Sequence, residues 1–270
     1  MPAYINTNVA SINTVRILDS SQKELTTSME RLSSGKRINH ARDDAAGMAI
    51  SSKMTSQING MNQAVRNTND GISMVQTADG AMEGIADKLQ RMRELAVQSS
   101  NGIYSSSDRA ALDIEFQALD DEINRVASSA EFNGTNLIDA DAQIDIQVSY
   151  AADSTNGKIT VSLSGVDSTD LGINANVITS QAASSTAITA VDAALSTVNS
   201  ARATLGATQN RLETTVKDLK NNVENLSASR SRIEDADFAS ETAQLAKSQI
   251  LQQAGMAMLA QANQLPQQVL

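Results

Sequence analysis

Hydrophobic positions in this chain recur by threes and fours over long stretches, the spacing of amphipathic helices that each bury one stripe. The clearest run lies in the last third: Ile188, Val191, Leu195, Val198, Arg202, Leu205, Gln209, Leu212, Val216, Leu219, Val223 and Leu226. Arg202 and Gln209 alone break it. The spacing predicts a helix about 58 Å long, at about 1.5 Å per residue, with one face buried throughout. A matching run occupies the first half, through Met54, Ile58, Met61, Val65, Thr68, Ile72, Val75, Asp79, Met82, Ala86, Leu89, Arg93 and Ala96. Ile85 and Met92 lie beside its polar exceptions and can cover them. Gly60, Gly71, Gly80 and Gly84 interrupt this helix, each costing about 1 kcal/mol relative to alanine. It therefore depends on its neighbours. A third helix is expected after the N-cap cluster Ser106, Ser107 and Asp108, with Leu112, Phe116, Leu119, Ile123 and Val126 on one face.

The texture then changes. Ile144, Ile146, Val148 and Tyr150 alternate with polar residues, as do Ile159, Val161 and Leu163, and Asn156-Gly157 lies between. This reads as a β-hairpin near 140–175 with a connection longer than the tightest type. Phe132-Asn133-Gly134-Thr135 marks a turn where the third helix ends. At the N-terminal end Val15, Leu18, Gln22, Leu25, Met29 and Leu32 form a short heptad stripe, cut by the polar stretch from Ser33 to Asp44. At the other end the long stripe gives way to Ser229–Asp237, and a last helix holds Leu251, Met258 and Leu265 at sevens beside Phe238, Leu245 and Leu259. From 241 to 270 the only charges are Glu241 and Lys247, so this arm is apolar around much of its circumference and wants partners. The expectation is a mainly α fold: long antiparallel heptad helices in a bundle, a small β-hairpin insert and two terminal coiled-coil arms. Its divisions are 1–45, 46–228 and 229–270.

Composition sharpens this picture. The 270 residues include no cysteine or tryptophan, only three Tyr and three Phe, and two prolines. Disulfides and thiol chemistry are excluded, and apolar burial must come mostly from Ala, Leu, Ile, Val and Met. The net charge of −10 argues against a nucleic-acid partner, which needs a basic face. That charge is unevenly placed. Residues 101–200 carry 3 basic and 14 acidic side chains, whereas 1–100 carry 11 and 10 and 201–270 carry 7 and 7. Balanced ends can pack against copies of themselves, while an acidic middle stays solvated. The N-terminus shows neither a basic region nor an apolar run, and no stretch approaches the ~20 apolar residues of a membrane span. The expectation is a soluble protein without a membrane, either cytoplasmic or exported by a route that needs no signal peptide.

No catalytic constellation appears, and no cofactor or metal is expected. His40 is the lone histidine and sits beside Arg42, Asp43 and Asp44, a solvated polar joint rather than a metal site, which needs several convergent ligands. Met54, Met61, Met82 and Met92 follow helical spacing, which makes them core residues rather than a copper or cofactor box. The acidic middle lacks a calcium-loop pattern. Ser105-Ser106-Ser107, Ser162, Ser164 and Ser168 are loop polars that could also carry surface O-modification.

Several short motifs together resemble bacterial flagellin. They are Ile5-Asn6-Thr7-Asn8, Glu30-Arg31-Leu32-Ser33-Ser34-Gly35, Arg37-Ile38-Asn39, Asp43-Asp44-Ala45-Ala46-Gly47 and Asn69-Asp70-Gly71-Ile72-Ser73. Further along come Arg93-Glu94-Leu95-Ala96-Val97-Gln98, Phe132-Asn133-Gly134, Ser231-Arg232-Ile233-Glu234-Asp235-Ala236-Asp237 and Gln249-Ile250-Leu251-Gln252-Gln253-Ala254-Gly255. The resemblance covers roughly 1–140 and 185–270. It implies a homo-oligomer, the helical flagellar filament for swimming motility. The arms 1–45 and 229–270 would form its inner layer through Leu18, Leu25, Leu32, Leu245, Leu251, Met258 and Leu265. The unit 46–228 would form the outer layer through Met54, Ile58, Met61, Val65, Ile72, Leu195, Leu205, Leu212 and Leu219. It also implies export through the flagellar type III apparatus, a chaperone on the C-terminal arm, contacts with filament cap and hook-junction proteins, and an extracellular location. Recognition by the animal Toll-like flagellin receptor is implied through Arg91, Leu95 and Glu115, with Gln90, Glu94 and Gln98 alongside. Larger members carry outer domains where this chain has about 45 residues between its helical halves, and members commonly continue a few residues past the position of Leu270.

Two other readings stand beside this one. A hook–filament junction protein shares such arms but would match the Arg-Glu-Leu-Ala and Ser-Arg-Ile-Glu-Asp motifs less closely. A signalling rod resembling a chemoreceptor's cytoplasmic hairpin is also rich in heptads, but it would want a membrane span or sensor domain and a helical tip.

Overall fold

A computed structural model of the chain describes residues 7–151 and 157–264. Five helices carry it: α1 (Val9–Ser34), α2 (Ala45–Ser99), α3 (Ser106–Ser129), α4 (Gln181–Glu234) and α5 (Phe238–Gln264). Two antiparallel hairpins lie between α3 and α4, β1 (Glu131–Phe132) with β2 (Thr135–Asn136), and β3 (Ala142–Gln147) with β4 (Lys158–Leu163). The fold is mainly α, as expected. The chain divides into two compact units, 59–223 and the combination of 1–58 with 224–270. These divisions fall at 58/59 in α2 and 223/224 in α4, where the sequence suggests 45/46 and 228/229. The polar run Ser229–Glu234 does not end the long helix: α4 continues to Glu234, because Ser and Arg are tolerated on an exposed helical face.

In the 59–223 unit, α2 and α4 run antiparallel. Arg93 Nε meets Asp192 Oδ1 at 2.6 Å, and Arg202 Nε meets Asp79 Oδ1 at 2.8 Å. Asp79 and Arg202 are polar breaks in their two stripes, so one break answers the other. The seam is rotated slightly from the sequence expectation. On α4 the line Val191, Val198, Leu205, Leu212 and Leu219 is buried as expected, but its deep neighbours are Ala187, Ala194, Ala201 and Thr208. Leu195 is only half-buried against the core. On α2 Met61, Val75, Met82 and Leu89 are buried beside Ala64, Ala78, Ile85 and Met92, while Val65 and Ile72 are half-buried. Small residues let the helices approach and large ones fill the flanks. Ile58 is buried and Met54 half-buried at the end of α2 that belongs to the other unit.

Helix α3 closes this core with Phe116 and Ile123. Its N-cap lies one residue before the expected cluster: Ser105 caps the helix and shares a capping box with Asp108. Asn133 (φ 50°) and Gly134 (φ 76°) make the tight turn of β1–β2, the backbone that Asn-Gly favours. In β3–β4, Ile144 pairs with Val161 and Ile146 with Ile159. A Cβ on Gly71 would overlap Ile146 Cδ1, so this glycine makes room for the strand against α2. Asn156 of the expected turn lies outside the described residues. The segment 164–180 has no regular structure, yet it buries Val166, Leu171, Ile173 and Ile178.

Candidate assembly surfaces

The terminal unit is built on an antiparallel pair, α1 and α5. Asn8 caps α1 by accepting from Ser11 N–H at 3.1 Å, and its Nδ2 donates to Ala262 O at 2.7 Å. Gly35 ends α1 in the left-handed conformation (φ 71°), its N–H returning to Arg31 O. Along the seam Ser21 Oγ donates to Ser248 O at 3.1 Å. Ser21 and Ser28 of α1 and Ser248 and Ala262 of α5 are buried. A Cβ on Gly255 would sit 3.3 Å from Leu18 Cδ1. Ser248, Gly255 and Ala262 are spaced by sevens, a signal that attention to large residues overlooks.

Leu18, Leu25, Leu32 and Leu245 are half-buried along this seam, as is Leu259. Leu251 and Met258 are not in it: Met258 is 63% exposed, and Ile250 nearby is 65% exposed. Leu265 lies outside the described residues. Val9, Ile12, Val15, Ile17 and Met29 on α1 and Phe238 and Met256 on α5 also face outward. The two helices thus bury small residues against each other and leave large apolar ones uncovered.

At the polar joint the two halves of the chain are stitched by backbone. Lys36 and Asp235 form an antiparallel bridge, Arg37 N–H donates to Glu234 O at 2.6 Å, and Ala236 N–H donates to Gly35 O at 3.0 Å. The Arg37 guanidinium donates twice to Ile233 O. Glu234 takes the Lys36 ammonium at 2.5 Å and the Ser51 hydroxyl. These hydrogen bonds from Lys36 and Ser51 hold its carboxyl below the usual range, against a smaller opposing effect of burial. Asp43 is held low by the His40 backbone N–H, which donates to it at 2.9 Å. His40 itself is exposed, with Nδ1 3.2 Å from Glu30 Oε1. The joint is an ordered structural clasp. Among the described residues no three carboxylate or imidazole groups converge as a metal would need, and no helix is long and apolar enough to cross a membrane.

On α2 the exposed Arg91 guanidinium spans Glu94 at 2.9 Å and Glu115 of α3 at 2.9 Å. Those carboxylates hold the arginine firmly charged, with the Glu94 hydrogen bond the larger influence. Leu95 is 1% exposed. It supports this surface from beneath and does not face solvent. Ser106, Ser107 and Ser162 are exposed and Ser164 half-buried.

Comparisons with known proteins fall on these same elements. Residues 5–143 match the bacterial flagellin N-terminal helical region, and residues 188–270 match the bacterial flagellin C-terminal helical region. A flagellin of Halalkalibacterium halodurans is 47% identical over 268 residues, covering 98% of each chain. A flagellar filament core protein of Brachyspira hyodysenteriae is 42% identical, covering 97% of each. Among solved structures, the crystal structure of Bacillus cereus flagellin aligns with a TM-score of 0.50 and 33% identity, covering 61% of this chain and 94% of that one.

Proposed function

Because the chain belongs to the bacterial flagellin family and is a structural subunit of the flagellar filament, we propose that its terminal helix pair is the inner assembly surface and its 59–223 unit the outer one. The observation that carries this reading is the set of large apolar side chains left exposed on α1 and α5, Ile12, Ile17, Phe238, Ile250 and Met258 among them. Exposed patches of this kind mark association surfaces. Copies related by an open head-to-tail operation bury them and extend into a helix that serves swimming motility. The subunit does no catalysis.

The finer partners follow from the family. The chain passes through the type III export apparatus to the extracellular flagellum, with a chaperone covering α5 in the cytoplasm. Cap and hook-junction proteins bound the filament. The Arg91–Glu115 surface is read by the Toll-like flagellin receptor, and its exposure and fixed charge support that role. Ser106, Ser107 and Ser162 are accessible for modification. Negative-stain microscopy after salt-induced assembly of the purified chain tests the reading. Helical filaments are expected, and disordered aggregate or unchanged monomer would overturn it. For the receptor surface, Arg91→Ala should weaken binding of monomeric chain about tenfold or more; unchanged binding by folded variant removes that role.

A further inference from the structure

Around Gly165 the fold gathers carboxyl groups without a cation to match them. Asp141 Oδ1 accepts from Gly165 N–H at 2.9 Å, and a Cβ on Gly165 would overlap Asp170 Oδ2. Asp167 Oδ1 accepts from Asp170 N–H at 2.6 Å. The same loop is pinned to α3 where Ser168 N–H donates to Asn124 Oδ1 at 2.9 Å. Beneath it lies Asp120 of α3, 8% exposed, whose Oδ1 is buried and meets no hydrogen-bond donor.

We propose that Asp120 is a proton-binding site, and that protonating its carboxyl completes the seat of the 164–174 loop on α3, so this clasp tightens in mild acid and loosens toward neutral pH. The charged groups acting on it share one sign, Asp121 on α3 and Asp167 after β4, and Asp167 in turn belongs to a cluster in which Asp139, Asp141 and Asp167 act on Asp170. The α4 face beside Ser164 offers only the uncharged Ser196, Thr197, Ser200 and Thr204 with Ala201. Arg125, on the same helix, is engaged with Glu122, and among the described residues no base acts on Asp120. Among the described residues no three carboxylates are placed to share a metal ion.

Burial, reinforced by the charges of Asp121 and Asp167, raises the Asp120 carboxyl above the usual range despite a hydrogen bond from Ser168. Asp170 is raised by burial first and then by Asp167, Asp141 and Asp139. A carboxyl raised in the folded state holds its proton while the unfolded chain has already lost it. Stability therefore falls as pH rises from the ordinary carboxylate value through the raised one, then stays low. Asp108, Glu122 and Asp145 are held low in the same unit and act in the opposite direction. The test must therefore compare variant with wild type at each pH.

Hydrogen exchange of the full-length chain reads the loop directly, through the amides of Val166, Leu171 and Ile173. After correction for intrinsic exchange, wild type should protect them better at about pH 4, near the ordinary carboxylate value, than at about pH 7.5. Asp120→Asn, a neutral isostere, should hold the higher protection at both. Wild-type protection that ignores pH, or a variant with the wild-type pH dependence, would overturn the proposal. Should the variant not fold, carboxyl-carbon NMR of wild type decides: Asp120 titrating above the usual range supports the site, and titration within or below that range removes it.

Discussion

The 59–223 unit and the terminal unit share one heptad grammar and use it to opposite ends. In the first, lines of large residues face lines of alanine across α2 and α4, and Met82, Ile85, Leu89, Met92, Phe116 and Leu205 are buried. In the second, the fully buried positions are mostly small and the seam leucines are only half-buried. Among its described hydrophobic residues only Ile38, Ile58 and Ala262 are buried, while serines and Gly255 occupy the seam. Burying a large side chain is worth about 1.5–3 kcal/mol, and ordering backbone costs about 1–2 kcal/mol per residue. A unit that closes its core within one chain meets that cost alone. A pair that leaves its large residues outside gains less from its own seam, which is why other copies are proposed as its partners.

The largest effect should come from the uncovered face. Ile250→Asp with Met258→Asp removes two side chains from the proposed intersubunit contact and puts charge in their place, an expected loss of about 3–6 kcal/mol before any charge penalty. Filament formation should fail at concentrations at least a hundredfold above the wild-type threshold, measured by sedimentation, with the melting of the monomer unchanged. Normal filaments from this variant would break the contrast between the units. Next comes the closed core. Leu89→Ala should destabilise the monomer by about 2–5 kcal/mol, read by urea unfolding, because Leu89 has no exposed surface. A cost below about 1 kcal/mol would mean that core is looser than its packing implies.

A smaller effect sharpens the role of the joint. The Glu234 carboxyl is depressed in the folded state by Lys36 and Ser51, so its contribution is full above the ordinary glutamate value and is lost as pH falls through the lowered one. With Lys36 half-exposed, Glu234→Gln should cost filaments about 1 kcal/mol near neutral pH. The critical concentrations of wild type and variant should converge in acid. Parallel curves across pH would show that the charge on Glu234 does not matter there.

The helices were legible because their periodicity is long and nearly unbroken, and the hairpin because Ile144, Ile146, Ile159 and Val161 alternate. Three features were hidden. The α1–α5 seam runs through Ser21, Ser28, Ser248 and Gly255, whose small size rather than hydrophobicity sets the approach of the helices. A reading by large residues does not show that Leu251 and Met258 lie outside the α1–α5 seam, exposed in the single chain. Leu95, read from resemblance as a surface residue, is buried because the deep line of α2 lies one step round from the expected stripe. The 164–180 loop gave no periodic signal. Its order comes from Asn124, Gln117 and Asp113 of α3, which bond its backbone at Ser168, Asn176 and Ile178, and such pairings across the fold have no local signature.

Hydrogen exchange on a verified monomer and on filaments tests the contrast between the units most directly. The amides of α1 and α5 should exchange rapidly in the monomer while those of Met82, Leu89 and Leu205 stay protected, since a seam of small residues cannot hold two helices of this length by itself. In filaments both sets should be protected. Strong protection of Leu251 and Met258 in the monomer would show that the terminal pair closes without other copies and would contradict the account.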